Sequence, residues 1–319
     1  MAEGYEVPET PARAMSDPVA LARLFCERVP HSRDLGIEIL SLDGPQTRMR
    51  LAPLWYLMDA DASAICSSVL FSLADAAAGL AVFGATRTLT PIATLDLRMN
   101  YLRPAPADRG LVADAHCLAV TGDVAFVHCQ GHVEGSTELL ATGDATFMCG
   151  TRGRRFDDVA SARPSSVLPP QATISRPNPN SRGDGYAQHL GIELLDAGGG
   201  LRFRLPFRHA LVGNAQIPAL HGGVLGGLIE EAAQVAVQSD RGGKTTARIL
   251  NTDIDYHRSA QTLDTHASVE VVRRTRRTAL AQVVCWQAEH RKPVATGRVQ
   301  MLLLASADEA DSPAAEAAS

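Results

Sequence analysis

Leu35-Gly36-Ile37-Glu38 is repeated as Leu190-Gly191-Ile192-Glu193, at an offset of 155 residues (190 − 35). The same offset relates Asp75 to Glu230 and Tyr101 to Tyr256. Towards the end of each copy, the Ala-Thr-Gly at 141–143 matches the one at 295–297, where the offset is 154 (295 − 141). A register that drifts by a single residue over this length indicates two copies of one domain in the chain.

Both copies carry the same order of predicted elements. Two short alternating strands come first, at 36–42 and 48–51 in the first copy and at 191–195 and 202–205 in the second. A long helix follows, predicted over 67–83 in the first copy. Its apolar stripe at 3.6-residue spacing consists of Val69, Leu70, Leu73, Ala77, Leu80 and Ala81, and the second copy has Val224, Leu225, Leu228, Ile229, Ala232, Val235 and Ala236. Four β-rich segments follow each helix, at 92–101, 111–120, 125–133 and 139–147, and at 247–256, 265–272, 278–287 and 294–303.

Two strands, a long helix and a four-strand meander predict an α+β fold in which one antiparallel sheet wraps around one central helix. This plan resembles the hotdog fold. The predicted domains are an N-terminal hotdog domain at 20–150 and a C-terminal one at 186–304, which together form an internal pseudo-dimer. The proline-rich stretch 151–185 predicts a linker, and the tail 305–319 predicts disorder.

Composition excludes several classes of function. The net charge of −5, from 30 basic and 35 acidic residues, gives no reason to expect a nucleic acid partner. The N-terminus does not resemble a signal peptide, and no stretch is expected to span a membrane, so a cytoplasmic location is predicted. The six cysteines have no zinc-ligand spacing, which predicts a reduced protein without a metal and cysteines that are small buried hydrophobes.

The second copy contains His221-Gly222-Gly223 at its predicted helix start and Glu230 nine residues after the histidine. The first copy keeps a matching Leu-Ala-Asp-Ala-Ala around Asp75 but has no His-Gly-Gly. This pattern resembles the signature of PaaI-like acyl-CoA thioesterases of the hotdog superfamily. The resemblance implies hydrolysis of an acyl-CoA, with coenzyme A as part of the substrate and no separate cofactor.

A carboxylate nine residues along a helix lies about 13 Å from the start of that helix. In hotdog dimers the two central helices are antiparallel, so the resemblance implies a site shared between copies, with Asp75 beside Gly222 and Gly223. The first N–H groups of a helix suit a carbonyl oxygen that becomes an oxyanion. Asp75 is expected to act either as a general base or as a nucleophile. The reciprocal site, Glu230 with the backbone near Ser67, lacks the glycines.

Further candidates carry two interpretations each. The family pattern implies a structural or positioning role for His221, with capping or packing as the alternative. Asn214 either orients the water or substrate or is a turn residue, and Asp59 occupies its place in copy one. Of Glu230 and Glu231, one is expected to face water. Arg103 and Arg258, at equivalent turns, are candidate contacts to coenzyme A phosphates; the cluster Arg273, Arg274, Arg276 and Arg277 is either such a contact or a solvated hairpin bend.

Two other classes of protein are alternatives to a thioesterase. A hydratase of the same fold would be expected to carry an Asp and a His close in sequence near the helix start, which neither copy has. A non-catalytic acyl-CoA or acyl-binding protein is the stronger rival, because each copy lacks part of the signature. Further homo-oligomerisation through unpaired sheet edges is also expected.

Overall fold

The computed structural model describes residues 28–59, 62–88, 90–150, 185–195, 201–214, 218–239 and 246–304. The predicted tail and all of the predicted linker except Gly185 lie outside these ranges. The front half consists of α1 (Pro30–Asp34), β1 (Glu38–Asp43), β2 (Gln46–Leu51), a 3-10 turn (Trp55–Leu57), β3 (Ala64–Ile65), α2 (Ser67–Thr86), β4 (Ile92–Tyr101), β5 (Ala105–Pro106), β6 (Leu111–Thr121), β7 (Val124–Val133) and β8 (Leu139–Cys149).

The back half repeats this order. Its elements are α3 (Gly185–Leu190), β9 (Glu193–Leu195), β10 (Arg202–Leu205), a 3-10 turn (His209–Leu211), β11 (Val212–Asn214), β12 (Ala219–Leu220), α4 (Gly222–Ser239), β13 (Thr246–Tyr256), β14 (Thr265–Arg274), β15 (Thr278–Trp286) and β16 (Ala295–Leu304). All the predicted strands and both long helices are present, with ends that differ by up to three residues.

The two halves share one antiparallel sheet of twelve strands, in the order β1-β2-β6-β7-β8-β4-β13-β16-β15-β14-β10-β9. The halves meet where β4 pairs with β13, and there Arg98 lies directly opposite Asp253. Arg98 Nε lies 2.8 Å from Asp253 Oδ1. These two residues are equivalent in the repeat (253 − 98 = 155), so the pseudo-twofold axis passes between them. The predicted α+β pseudo-dimer is confirmed.

The two long helices cross as antiparallel neighbours on the inner side of the sheet. A Cβ on Gly223 would lie 2.5 Å from the Ser72 Cα, and one on Gly226 would lie 2.6 Å from the Phe71 ring. Glycines on α4 thus let the helices approach closely. Seventeen of the twenty residues of α2 are buried, because the sheet covers one side of it and α4 the other.

No stretch was expected to be long and apolar enough to span a membrane. That expectation is wrong, because one helix has the length and composition of such a span. Helix α2 has 20 residues, and its most apolar window has a mean hydropathy of 1.7. That window is 83% buried inside the structure. Its apolar character is therefore accounted for by its place in the core.

The cysteines follow the expectation in most cases. Cys66, Cys117, Cys129 and Cys285 are buried, Cys149 is half-buried, and all five are free thiols. Cys26 lies outside the described residues.

The short helices α1 and α3 were not predicted, although the Leu-Gly turns that follow them were. Gly36 and Gly191 have φ values of 67° and 80°, the left-handed conformation that glycine adopts readily after a helix. The two short helices meet across the axis through pairs of repeat-equivalent residues. His31 Nε2 lies 3.1 Å from the Tyr186 hydroxyl oxygen, and His189 Nε2 lies 2.7 Å from Asp34 Oδ2.

Candidate active site

Asp75, on α2 of the front half, reaches the start of α4 of the back half. Its Oδ2 accepts a hydrogen bond of 3.1 Å from the Gly223 N–H, and its Oδ1 accepts one of 3.0 Å from the Thr94 hydroxyl. The side chain is 6% exposed. Both carboxylate oxygens are therefore held in place at the border between the halves, at the end of α4 where the helix dipole is positive.

His221 precedes α4 and caps it. The Val224 N–H donates to the His221 carbonyl oxygen, which begins the helix, and the Gly223 N–H donates to His221 Nδ1 over 3.0 Å. Burial lowers the pKa of the His221 imidazole, and the nearby Asp75 opposes this effect. The ring is therefore neutral at neutral pH, with Nδ1 as acceptor and the proton on Nε2.

The Asp–His contact was not expected from the sequence, since the two residues are 146 positions apart (221 − 75). In space, Asp75 Oδ2 lies 3.2 Å from His221 Nδ1. Because Gly223 N–H donates to both atoms, the glycine bridges the carboxylate and the imidazole. The absence of an Asp and a His close in sequence thus did not exclude the pair in the fold.

Gly222 differs from Gly223 in accessibility. It is half-buried, and its N–H makes no hydrogen bond within the described part of the chain, whereas the Gly223 N–H is already used. A Cβ at Gly222 would lie 2.7 Å from Asp75 Oδ2, so the carboxylate occupies the space that a side chain would need. A half-buried peptide whose N–H has no partner among the described residues therefore lies beside the carboxylate.

Tyr256 completes this end of α4. Its hydroxyl donates to the Gly222 carbonyl oxygen over 2.9 Å. Burial raises the pKa of the Tyr256 phenol well above its usual value, and the charge of Asp75 adds to the effect. The phenol therefore stays protonated and holds the first peptide of α4 in place.

Glu230 lies at the opposite end of the helix pair, beside the start of α2. Its Oε2 accepts from the Ser67 hydroxyl over 2.6 Å, and its Oε1 accepts from the hydroxyls of Tyr101 and Thr252 over 2.7 and 2.6 Å. Burial and the Glu230 charge raise the pKa of the Tyr101 phenol well above its usual value. Glu230 is 2% exposed, and its two oxygens serve three hydroxyl donors.

The two ends of the helix pair differ at equivalent positions. Ser67 occupies the place of Gly222 (222 − 67 = 155), and its side chain is bonded to the carboxylate. Cys66 occupies the place of His221, and as the N-cap residue of α2 it makes no side-chain capping hydrogen bond. Glu231 is also buried, so the expectation that one residue of the Glu230–Glu231 pair faces water is wrong.

The structure does not bring Asn214 or Asp59 into a described contact with Asp75 or Gly222. The Asn214 backbone lies in β11, opposite Ala219, and its side chain is outside the described atoms. Asp59 accepts hydrogen bonds from the Ser63 N–H and hydroxyl over 2.7 and 2.8 Å, which makes it part of a local turn.

The arginine candidates lie in three places. Arg258 is exposed and follows Tyr256 by two residues, so it belongs to the Asp75 end; Arg103 follows Tyr101, at the Glu230 end, and pairs with Glu138 over 2.7 Å. The hairpin cluster lies elsewhere, because Arg274 Nη1 donates to the Val237 carbonyl oxygen near the end of α4. That is fifteen residues, about 22 Å, from the helix start, which favours the hairpin-bend interpretation.

Sequence reasoning missed Thr94, the role of Tyr256, and the contact of His31 with His221. Tyr256 had a signal, because it repeats Tyr101. Thr94 had none, since its repeat equivalent is Ile249 (249 − 94 = 155).

One twelve-stranded sheet over two antiparallel helices, with the carboxylate of one half at the helix start of the other, defines a double-hotdog protein. The family model "Thioesterase superfamily" matches residues 67–140, and the model "Acyl-CoA thioesterase N-terminal domain" matches residues 213–302. The chain belongs to the thioesterase superfamily and carries two of its domains in tandem.

Individual proteins are also similar. The "Medium/long-chain acyl-CoA thioesterase YigI" of Escherichia coli K12 is 27% identical, over 41% of this chain and 92% of that protein. The tesB protein of Mycobacterium avium subspecies paratuberculosis has a TM-score of 0.58 at 13% identity, covering 85% of this chain and 97% of that one. The acyl-CoA thioesterase II TesB2 of Mycobacterium marinum has a TM-score of 0.53 at 12% identity, covering 86% and 96%. The structural matches support the double-hotdog fold.

Proposed function

We propose that the chain hydrolyses acyl-CoA thioesters at one composite site, formed by Asp75 of the front half and the start of α4 in the back half. The chain is an acyl-CoA thioesterase by its family matches, one in each half. The observation that carries the site is the hydrogen bond from Gly223 N–H to Asp75 Oδ2 across the fusion. The N–H of the half-buried Gly222 lies next to it.

Gly222 is proposed to bind the thioester carbonyl oxygen. Its N–H has no hydrogen-bond partner within the described residues and lies at the positive end of the helix dipole, and attack on the carbonyl carbon places a negative charge on that oxygen. A single donor of this kind contributes roughly 10²- to 10³-fold to the rate in other enzymes. Tyr256 holds the following peptide unit in position, because its hydroxyl donates to the Gly222 carbonyl oxygen.

Asp75 is proposed to act as the general base. Each of its oxygens already accepts one hydrogen bond, which reduces nucleophilicity and fixes the orientation of the remaining lone pairs. A water molecule gives its proton to Asp75 and attacks the carbonyl carbon. When the carbon–sulfur bond breaks, Asp75 returns the proton to the thiolate, which yields the free acid and coenzyme A.

One working site per chain follows from the differences between the two ends. At the Glu230 end, Ser67 stands in the place of Gly222, and its hydroxyl and those of Tyr101 and Thr252 donate to the carboxylate. Glu230 is proposed to be a buried structural carboxylate.

The finer family assignment is PaaI-like. It is supported by the His-Gly-Gly at the start of α4, by Glu230 nine residues after the histidine, and by the repeat-equivalent Asp75, the acid that the front half supplies to this site. Coenzyme A enters as part of the substrate. A reducing cytoplasm is consistent with the five free cysteines of the described residues, and further association of chains is proposed at the outer strands β1 and β9, which end the sheet.

The activity is tested by steady-state hydrolysis of a series of acyl-CoAs with the purified full-length chain, with thiol release as the readout. We expect turnover that rises above background by several orders of magnitude for at least one chain length. Tight binding of acyl-CoA without turnover would instead support the non-catalytic alternative.

Arg258 is proposed to contact a phosphate of coenzyme A. Replacing it with Ala is expected to raise KM about fivefold and leave kcat unchanged, because an exposed ion pair contributes about 1 kcal/mol to binding. The same measurement with an acyl-pantetheine, which lacks the phosphates, is expected to show no effect.

Arg103→Ala is the matched control, because Arg103 is equivalent in the repeat but lies at the Glu230 end. Its KM for acyl-CoA is expected to stay within twofold of the wild-type value, on the order of measurement error. An equal rise of KM in both variants, or a rise that persists with acyl-pantetheine, contradicts the assignment.

A further inference from the structure

His31 is a buried histidine outside the family motif. It lies on α1 of the front half, is 0% exposed, and reaches the pseudo-twofold axis. Its ring centroid is 4.9 Å from that of His221, with an angle of 50° between the ring planes. The His221 ring of the back half is therefore covered by a residue of the front half.

A series of polar side chains from both halves holds the His31 ring. Its Nε2 lies 3.1 Å from the Tyr186 hydroxyl oxygen, which lies 2.8 Å from Ser72 Oγ. Ser72 in turn borders Gly223, because a Cβ on that glycine would lie 2.4 Å from Ser72 Oγ. This series of contacts therefore ends at Gly223, whose N–H bridges Asp75 and His221.

The backbone of His221 is fixed from the other side. Its N–H donates to the Leu211 carbonyl oxygen over 2.9 Å, and a Cβ on Gly213 would lie 2.4 Å from its Cα. With the backbone held, the ring torsions are the remaining freedom. The ring of His31 restricts them.

We propose that His31 is a positioning residue, whose ring holds the His221 imidazole in the orientation that caps Gly223 and faces Asp75. The inference rests on the proposed function, because it assigns a role within the same site. The repeat supports it, since the residues equivalent to His221 and His31 are Cys66 and Tyr186 (221 − 66 = 155 and 186 − 31 = 155). The histidine pair thus occurs only in the copy arrangement that has His-Gly-Gly at the helix start.

The surroundings of His31 keep its ring neutral. Burial lowers its pKa well below the usual value, and the neighbouring His221, His189 and Arg208 act in the same direction. A neutral ring packs against His221 without repelling a proton that passes near Asp75. The contact is therefore compatible with both protonation states of the Asp75 carboxyl during turnover.

The test compares His31→Ala, His31→Phe and Asp34→Ala. Removing the ring is expected to lower kcat by about tenfold or more with KM within about twofold, because small misplacements at a reacting centre cost up to roughly 10²-fold. His31→Phe keeps a ring against His221, so its kcat is expected within about threefold of wild type. Asp34→Ala breaks the other axis pair and is expected to lower stability without lowering kcat of the folded protein.

A second readout is independent of turnover. In the ¹⁵N spectrum of the histidine side chains, the His221 signals, identified by their loss in His221→Gln, are expected to shift in His31→Ala and to stay in Asp34→Ala. Unchanged His221 signals with wild-type kcat in His31→Ala overturn the proposal, as does a loss of kcat no larger than in Asp34→Ala, or an equal loss in His31→Phe. If the wild-type chain lacks turnover, the proposed function fails, and the spectra still decide whether His31 positions His221.

Discussion

Replacing Asp75 with Asn is expected to reduce kcat for acyl-CoA hydrolysis by roughly 10³-fold, within the 10²- to 10⁴-fold range of general-base catalysis. The amide has the same shape and its oxygen still accepts one of the two hydrogen bonds from Thr94 and Gly223, but its NH₂ group is only a donor and it does not take a proton from water. Binding of a non-hydrolysable acyl-CoA thioether, measured by calorimetry, is expected to remain within about threefold.

Glu230→Gln is the matched control, because it makes the same chemical change at the equivalent position. Its kcat is expected to stay close to the wild-type value. Retention of more than about a tenth of the activity in Asp75→Asn, or an equal loss in Glu230→Gln, contradicts the assignment of the base.

Single turnover in H₂¹⁸O distinguishes the base from a nucleophile. A general base places the label in the product acid in the first turnover. An anhydride intermediate, hydrolysed at the enzyme carboxyl carbon, would leave the label on Asp75 instead.

Replacing Glu230 with Ala is expected to destabilise the protein by about 3–5 kcal/mol, since each buried donor left without its acceptor costs about 1–3 kcal/mol. The change leaves the hydroxyls of Ser67, Tyr101 and Thr252 without their shared acceptor in a buried place, and it removes packing between the helices. For a domain pair of this size, the expected fall in melting temperature is roughly 10 °C. Differential scanning calorimetry measures it, and kcat of the folded fraction at low temperature is expected to be unchanged.

Tyr101→Phe provides the graded comparison. It removes one of the three donors and leaves the carboxylate with the other two, so a loss of about 1 kcal/mol is expected. If Glu230→Ala melts like the wild type, Glu230 is not a structural carboxylate. If it melts lower but also loses turnover at low temperature, the second end of the helix pair takes part in catalysis.

The fold was predictable because the chain contains two copies of the same domain. The constant offset aligned the predicted elements of the two copies. A short strand with a weak pattern, such as 202–205, was therefore supported by its equivalent in the other copy. The pairing of β4 with β13 was not predictable, because the sequences of the strands that contain Arg98 and Asp253 do not indicate which strand each one pairs with. Helices α1 and α3 are one or two turns long and lack a sustained periodic stripe, so propensity alone did not identify them.

The site was predictable where the chemistry depends on backbone and helix geometry. Gly222 and Gly223 mark a close approach, and the spacing to Asp75 follows from the rise of a helix. Thr94, Tyr256 and His31 depend on which side chains meet after the halves have joined. Ser67 shows the limit most clearly, because its position suggested a missing glycine, whereas its hydrogen bond to Glu230 is visible only in the structure.

The central claim is that the acid of the front half works with the helix start of the back half. The most direct measurement is a crystal structure of the Asp75→Asn variant with an acyl-CoA bound. The account predicts one thioester per chain, with its carbonyl oxygen about 3 Å from the Gly222 nitrogen and residue 75 facing the carbonyl carbon. A thioester bound beside Ser67 and Glu230, or bound away from both helix starts, would contradict it.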